Sequence, residues 1–310
     1  MDPGGRESQA FGTADWGLLL AAAGIWGTSF LLMAIELESL EPSVVTFGRV
    51  SIGALALWIL PSGRTRVPRD AWGRICLLGL TWMAFPLSMF PIAQQWIDSS
   101  VAGMLNAAMP IATVAIAGVL FKIPTNPRQL VGIAIGLVGI VGIALPTAKV
   151  GETTALGVVL VVLAVVSYGL AINVAVPLQA THGTAPVLAR ALVVASVLTL
   201  PLAAADTSFG RTAFTNTSPS GEPGWDTLAA ALVLGVFGSG YAFLFASQLG
   251  QRVGPVRTSI ITYLVPIFSI VLGVAVRDEN ISPWAVAGTA LVLLGAGLTT
   301  RPAKETTPDG

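Results

Sequence analysis

The sequence contains little cysteine, histidine or charge. Among its 310 residues are one cysteine, Cys76, and one histidine, His182, and only 10% of the residues are charged. A Cys/His metal site, a disulfide framework and a cysteine–histidine catalytic pair each need more of these residues. Soluble domains carry about 25% charged residues, so the composition excludes an ordinary soluble globule.

The sequence also lacks clustered positive charge. Its 16 basic and 16 acidic residues balance, and no basic block is present that would neutralise the phosphates of a nucleic acid. There is no GxxxxGK[ST] stretch to hold the phosphates of ATP. We therefore expect no nucleic-acid partner, no cofactor and no ATP-driven step from this chain.

Apolar runs are abundant. The hydrophobic fraction is 54%, and a helix needs about 20 apolar residues to cross a bilayer. Ten stretches approach this length, and the first is too long for the apolar core of a signal peptide. The expected spans are Trp16 to Ile35, Val44 to Leu60, Ile75 to Ile97, Ser99 to Phe121, Leu130 to Leu145, Ala155 to Leu178, Ala185 to Ala204, Thr227 to Leu249, Thr258 to Val276 and Ser282 to Thr299.

Basic residues predict the orientation of these spans. With the N-terminus inside, eleven basic residues fall in inner segments and three in outer loops, while Arg49 and Arg190 lie within spans. Short cytoplasmic loops hold the excess of Lys and Arg. We therefore expect an inner (plasma) membrane protein with both termini, residues 1–15 and 301–310, in the cytoplasm.

The chain contains an internal repeat. A shift of 156 residues places Pro110, Gly132 and Gly139 on Pro266, Gly288 and Gly295, with seven identities in thirty ungapped positions. This offset divides the chain into repeats at 16–145 and 156–300, joined by a linker at 146–155. Five spans is an odd number, so the second repeat must be inverted. The sequence thus predicts an all-α integral membrane fold of ten transmembrane helices in two inverted five-helix repeats, an architecture typical of alternating-access transporters.

The order of these motifs resembles one known family. Residues 26–30 read WGTSF, Pro42 precedes Arg49, proline occurs at 110 and 266, and Glu279 precedes the Gly288 to Gly295 spacing. From Trp16 to Thr300 the chain resembles the EamA-like ten-span branch of the drug/metabolite transporter superfamily. The resemblance implies a secondary carrier of small metabolites, most often an exporter of amino acids or related compounds. That family often has a glutamate in the loop before the last span of each half. Glu279 is this residue in the second half, but the equivalent position in the first half is Ile123. We therefore assign Glu279 no transport role.

Two proline positions are expected to interrupt helices. Pro110 and Pro266 remove a backbone hydrogen bond and free the carbonyl groups of Asn106 and Thr262. Small and polar residues share a face with each proline: Ser99, Gly103, Asn106, Pro110, Thr113 and Ala117 in the first half, and Pro255, Ser259, Thr262, Pro266, Ser269 and Gly273 in the second. Such a stripe either lines a cavity or packs closely on another helix. Asn106 favours the cavity, because packing alone does not require a carboxamide.

Arg49 and Arg190 are the candidate charged groups for substrate binding. A charge inside a span is expensive and is a functional hypothesis by default, although each arginine could also extend towards the nearer interface. Facing a crevice, they would bind a carboxylate or phosphate. No acid lies deep in an expected span, so uncoupled flux is the simplest expectation, with Glu36 and His182 as the alternative proton sites.

The remaining candidate side chains are aromatic rings or carboxamides. They lie near the end of an expected span or beside a glycine or polar residue within one. They are Trp26, Tyr241, Tyr263 and Gln94, which could contact an organic substrate or simply pack between helices. Alternative cargoes are drugs or organic ions, and sugar nucleotides or other phosphate esters. A membrane enzyme would need an intramembrane His, Asp or Glu constellation, which the spans do not contain. Glycines such as Gly132 and Gly136 predict close helix contacts, from which we infer no homodimer.

Overall fold

The computed structural model describes residues 12–148, 152–209, 223–253, 258 and 260–300. Within this part of the chain, nine helices are long and apolar enough to cross a membrane, and a pair bent by 40° makes a tenth. We number the spans α1 (Thr13–Glu36), α2 (Pro42–Ile59), α3 (Arg69–Ala93), α4 (Ser99–Asn106 and Met109–Val119), α5 (Pro127–Ala148), α6 (Glu152–His182), α7 (Thr184–Phe209), α8 (Trp225–Val253), α9 (Ile260–Arg277) and α10 (Pro283–Thr300). The predicted all-helical fold is confirmed, whereas the orientation of the termini stays a prediction.

Many of the expected span ends differ from the observed helix ends, and two of these differences involve buried acidic residues. Helix α1 continues through Glu36, and α7 continues beyond Ala204 to include Asp206. Glu36 is completely buried, and Asp206 is 3% exposed. Both helices continue past their apolar runs because packing shields these acidic residues from solvent.

Each half of the chain contacts the other half in the same way. Helix α1 packs on α8 and α9 of the second half, while α6 packs on α3 and α4 of the first. The pairs α2–α7, α4–α9 and α5–α10 each join equivalent spans. The repeats therefore interlock, and their interface lies along the middle of the bundle.

The same unusual turn follows α4 and α9. Lys122 and Asp278, which are 156 residues apart, have positive φ angles of 54° and 53°. The next residues, Ile123 and Glu279, donate backbone N–H bonds of 3.1 Å to the carbonyl groups of Ala117 and Gly273. The sequence repeat therefore corresponds to a repeat in backbone conformation.

Glycines permit the tight contact between α5 and α10. A Cβ atom on Gly139 would lie 2.6 Å from the carbonyl oxygen of Gly288, and one on Gly288 would lie 2.7 Å from that of Gly139. Gly132 and Gly295 make the corresponding pair, at 2.7 and 2.5 Å. Side chains at these positions would collide with backbone, so the predicted close helix contact forms here within one chain.

Candidate functional site

Arg49 is buried where the two repeats meet. Its side chain extends from α2, is 4% exposed, and donates from Nε to the hydroxyl of Ser239 on α8 at 3.1 Å. A second guanidinium nitrogen, Nη1, lies 3.2 Å from the sulfur of Met33 on α1. Sulfur is a weak acceptor, so the guanidinium is tethered to both repeats by modest interactions.

Glycines bring α2 against α8 beside Arg49. A Cβ atom on Gly53 would lie 2.9 Å from that of Ser239, and one on Gly235 would lie 2.5 Å from that of Ile52. Ser239 belongs to a π-helical segment, Leu234–Tyr241, inside α8. Close packing and the local widening of α8 together place the serine hydroxyl within reach of the guanidinium.

Glu36 is a second buried charged residue near this site. Both of its carboxylate oxygens are buried and accept no hydrogen bond, although Arg49 acts on the group electrostatically. In the described part of the chain, the direct ion pairs join Asp15 to Arg252 and Glu38 to Arg277. Glu36 therefore lies within the electrostatic range of Arg49 without forming a contact pair.

Aromatic rings from both repeats surround the interface. Tyr168 on α6 stacks on Phe90 of α3 with ring centroids 6.0 Å apart, and Phe90 meets Phe30 of α1 edge-on at 5.5 Å. Tyr168 also interacts electrostatically with Arg49. These three rings, the Phe90 cluster, therefore join α1, α3 and α6, and Tyr168 connects the cluster to Arg49.

A second group of rings, the Phe243 cluster, joins α1, α3 and α8. Phe243 meets Trp26 at 5.1 Å and Trp82 at 5.2 Å, both edge-on. The indole nitrogen of Trp26 donates to the carbonyl of Gly238 at 3.3 Å, next to Ser239. The structure thus brings the predicted site residues Trp26 and Arg49 to neighbouring positions of one π-helical segment.

Several buried polar atoms after α3 and in the first part of α4 have no hydrogen-bond partner. They include both amide atoms of Gln94, Oδ1 of Asn106 and the hydroxyl of Ser100. Buried polar atoms are normally paired, so such groups are candidate ligand contacts. Gln94 also lines a cavity of about 210 Å³ together with Ala34, Leu37, Glu38, Leu40, Glu41, Pro42, Gln95 and Arg277.

The two proline-containing helices differ in shape. Helix α4 breaks between Asn106 and Met109, just before Pro110, whereas α9 continues across Pro266. A Cβ atom on Gly103 would lie 2.2 Å from the hydroxyl oxygen of Ser269, so the two stripes pack directly on each other at this level. Thr262 is also buried in α9, while the stripe positions Pro255 and Ser259 lie outside the described residues.

Other candidate residues make their contacts elsewhere. Arg190 donates to the carbonyl groups of Gly63 and Pro186 at 3.2 and 2.9 Å, and lies 5.4 Å from the ring centre of Trp58. The hydroxyl of Tyr263 pairs with that of Thr300 on α10 at 3.2 Å. These contacts hold helix ends together rather than surrounding Arg49.

Thr113 and Tyr241 contact their own surroundings as well. The Thr113 hydroxyl donates to Met109, and its carbonyl accepts a 3.0 Å bond from Asn173 on α6. Tyr241 lies between Phe237 and Phe245 with ring centroids 5.9 and 6.1 Å away. Thr113 therefore lies at the repeat interface, whereas the ring contacts of Tyr241 are within α8, and neither residue is joined to Arg49 by these contacts.

Sequence reasoning missed Ser239 and Asp206 as candidate residues. Ser239 lies in a Gly238–Gly240 segment whose spacing indicates helix contact, but nothing in that spacing identifies the arginine as its partner. Asp206 follows the apolar run of α7, and its carboxylate accepts a hydrogen bond from Ser43 of α2. Each interaction joins two helices that are far apart in the sequence, so it could not be predicted without knowing which helices pack together.

Glu279 has a clear structural contact in the opposite repeat. Its Oε1 accepts bonds from the backbone N–H and hydroxyl of Ser99 at 2.9 and 2.6 Å, and Oε2 accepts from the N–H of Ser100 at 3.0 Å. Free N–H groups at a helix N-terminus favour an anionic acceptor. The carboxylate therefore caps α4 across the interface between repeats.

Known proteins that are similar to this chain are described as membrane transporters. The EamA-like transporter family matches residues 16–145 and 155–301. The uncharacterized inner membrane transporter YedA of Escherichia coli K12 is 28% identical over 93% of each chain. An uncharacterized transporter of Archaeoglobus fulgidus is 21% identical over 92% of this chain and 98% of its own length.

A solved structure resembles the fold as a whole. A crystal structure of a protein that is 19% identical superposes with a TM-score of 0.62, covering 92% of this chain and 96% of the other. Likeness at this identity shows the fold alone. With two matched repeats, nine to ten spans and relatives described as transporters, the chain belongs to the EamA-like transporter family and is a multi-pass membrane transporter.

Proposed function

We propose that this protein is a secondary transporter that moves small metabolites such as amino acids, as an exporter or facilitator, without converting them chemically. Two interlocked repeats support alternating access, in which a site at their interface opens to one side at a time. The observation that carries the proposal is the burial of Arg49 between α1, α2 and α8. Both repeats thereby contact one cationic group.

Arg49 suits the carboxylate of an amino acid. A guanidinium has five N–H donors, and the bonds to Ser239 and Met33 leave further donors for a bidentate partner. Trp26 and the Phe90 cluster supply apolar surface nearby. Carboxylate recognition by Arg49, with aromatic contact to the remainder, is the proposed mode of binding.

The buried acidic side chain of Glu36 makes organic cations the second candidate cargo. Once deprotonated, its unpartnered oxygens would carry a charge that a cation compensates. Phosphate esters form a third class, because Arg49 would also bind a phosphate group. These classes are separated by a single transport assay.

The assay is counterflow in proteoliposomes. The lumen is loaded with unlabelled amino acids, organic cations or phosphate esters, and uptake of the labelled compound is followed. We expect exchange of amino acids and a reduction of about tenfold or more in Arg49→Lys, because lysine cannot make the bidentate contact. Arg190→Lys is the matched control, since a single ammonium can still donate to the carbonyl groups of Gly63 and Pro186.

Two results would contradict this proposal. If only another class of compound is exchanged, amino acids are not the cargo. If Arg49→Lys and Arg190→Lys reduce exchange equally, Arg49 is not the specific binding residue. We further propose cytoplasmic termini in the inner membrane, from the distribution of basic residues. A reporter fused after Gly310 tests this orientation, because it should be active only on the cytoplasmic side.

A further inference from the structure

Glu36 lies in an environment that disfavours a bare negative charge. It is the last residue of α1, is completely buried, and neither carboxylate oxygen accepts a hydrogen bond. As the last residue of α1, it lies at the negative end of the helix dipole. Burial, missing partners and the dipole all favour the uncharged carboxyl group.

The charged and titratable groups on the surrounding elements do not complete a partner set for Glu36. They are Arg49 on α2, Glu41 immediately before α2, Asp98 and Glu279 near α4, Tyr168 on α6, Asp206 on α7, Arg252 on α8 and Arg277 on α9. Of these, Arg49 acts electrostatically on Glu36, but its bonds go to Ser239 and Met33. Arg252 and Arg277 pair with Asp15 and Glu38.

A cavity approaches the end of α1 that carries Glu36. Ala34 and Leu37, on either side of Glu36 in sequence, line the space of about 210 Å³ described above, and Glu38 and Glu41 contribute acidic groups to it. We call the membrane side at which α1 ends the Glu36 face. The cavity therefore brings solvent to the last turn of α1, beside the position of Glu36 in the chain.

We propose that Glu36 is a proton-binding site, occupied in this structure, and that closing the Glu36 face requires the proton. The use of this proton in transport rests on the proposed function, although the site can be measured without a substrate. Opening the face would let water solvate the carboxylate and release one proton to that side. Closing would bury the group and bind one proton from the same side, forming an O–H bond on the carboxylate.

Access of a thiol reagent to the cavity tests the linkage. Leu37→Cys is introduced after replacing the exposed free cysteine, Cys76, by serine. Labelling by a charged maleimide is then measured over a pH series for the full-length protein in liposomes. We expect labelling to rise with pH more steeply with Glu36 present than with Glu36→Gln, because glutamine mimics the protonated acid. The ratio of the two rates cancels the titration of the thiol itself.

Infrared spectroscopy provides a second, independent measurement. At neutral pH the protein should show the carbonyl stretch of a protonated carboxyl group, which Glu36→Gln removes and Glu36→Asp shifts. Asp206→Asn is the matched control, because Asp206 is another buried acid with an unpartnered oxygen, Oδ1. It should keep both the band and the pH-dependent labelling.

Either of two outcomes overturns the proposal. One is an unchanged pH response of Leu37→Cys labelling in Glu36→Gln, and the other is a carboxyl band that Glu36→Gln retains. Failure of amino-acid counterflow would instead contradict the proposed cargo and leave these substrate-free measurements intact. The two proposals therefore fail separately.

Discussion

At the scale of single residues, the two intramembrane arginines show what sequence could and could not reveal. Both were candidates because a charge in a span needs a reason. The structure pairs Arg49 with Ser239 and Met33 at the interface, whereas Arg190 binds the carbonyl groups of Gly63 and Pro186. Both are arginines in the second span of a repeat, α2 and α7. Their partners lie on distant parts of the chain, which a single sequence does not bring together.

Asp98 provides a pH prediction at this scale. Burial raises the pKa of this carboxyl group, nearby Glu279 raises it further, and Arg277 partly opposes both. A folded-state pKa above the unfolded value stabilises the fold at low pH, and this contribution is lost as pH rises through the folded pKa. Asp98→Asn should therefore be more stable than the wild type at neutral pH and show a weaker decline with rising pH.

Thermal unfolding in detergent over a pH series measures the effect of Asp98. Asp278→Asn is the control, because asparagine tolerates the positive φ angle of 53° at that loop position. It should retain the wild-type pH dependence. An equally steep decline in Asp98→Asn would show that other groups cause it.

At the scale of helices, the spans were predictable and their irregularities were not. Apolar runs predicted the helices, but the π-helical segments Gly79–Ala84 in α3 and Leu234–Tyr241 in α8 depend on neighbours. Ser167 of α6 donates to the carbonyl of Thr81 at 2.6 Å, and Trp26 of α1 donates to that of Gly238 at 3.3 Å. Each widened segment thus receives a side-chain donor from the first helix of the opposite repeat.

The glycine contact between α5 and α10 yields a stability prediction. Gly139→Ala places a methyl group 2.6 Å from backbone atoms of α10, and such overpacking costs about 1–3 kcal/mol. Gly17→Ala in α1 is the matched control, since nothing lies within 4 Å of its Cβ position. Thermal unfolding in detergent should show a lower midpoint for the first variant and an unchanged or higher one for the second. Equal midpoints would contradict the tight contact.

At the scale of the whole molecule, the repeat offset predicted duplication, but it did not reveal which helices pair. Two ion pairs tie α1 to the second repeat at its opposite ends: Asp15 with Arg252 and Glu38 with Arg277, each at 2.6 Å. Ion pairs at the protein surface contribute little to stability, so each is weak enough to open and close. Alternating access requires the repeats to separate on one side at a time.

Cross-linking tests this motion. In a chain with Cys76 replaced by serine, cysteines at Asp15 and Arg252, or at Glu38 and Arg277, should be joined by a short reducible bifunctional thiol reagent. Either cross-link should abolish exchange in proteoliposomes, and reduction should restore it. Cysteines at Asn126 and Gln129, which bond to each other within one repeat, form the control and should leave exchange intact. Full exchange with both repeats linked would exclude their separation.

The glycine pairs of α5 and α10 also show how such a chain can arise. Gly132 meets Gly295, the repeat-mate of Gly139, and Gly139 meets Gly288, the repeat-mate of Gly132. This is the pattern of an isologous interface, in which one surface binds a second copy of itself about a two-fold axis. A single ancestral half, inserted in both orientations, would make this contact as an antiparallel homodimer. Gene fusion would then have preserved a subunit interface inside one polypeptide.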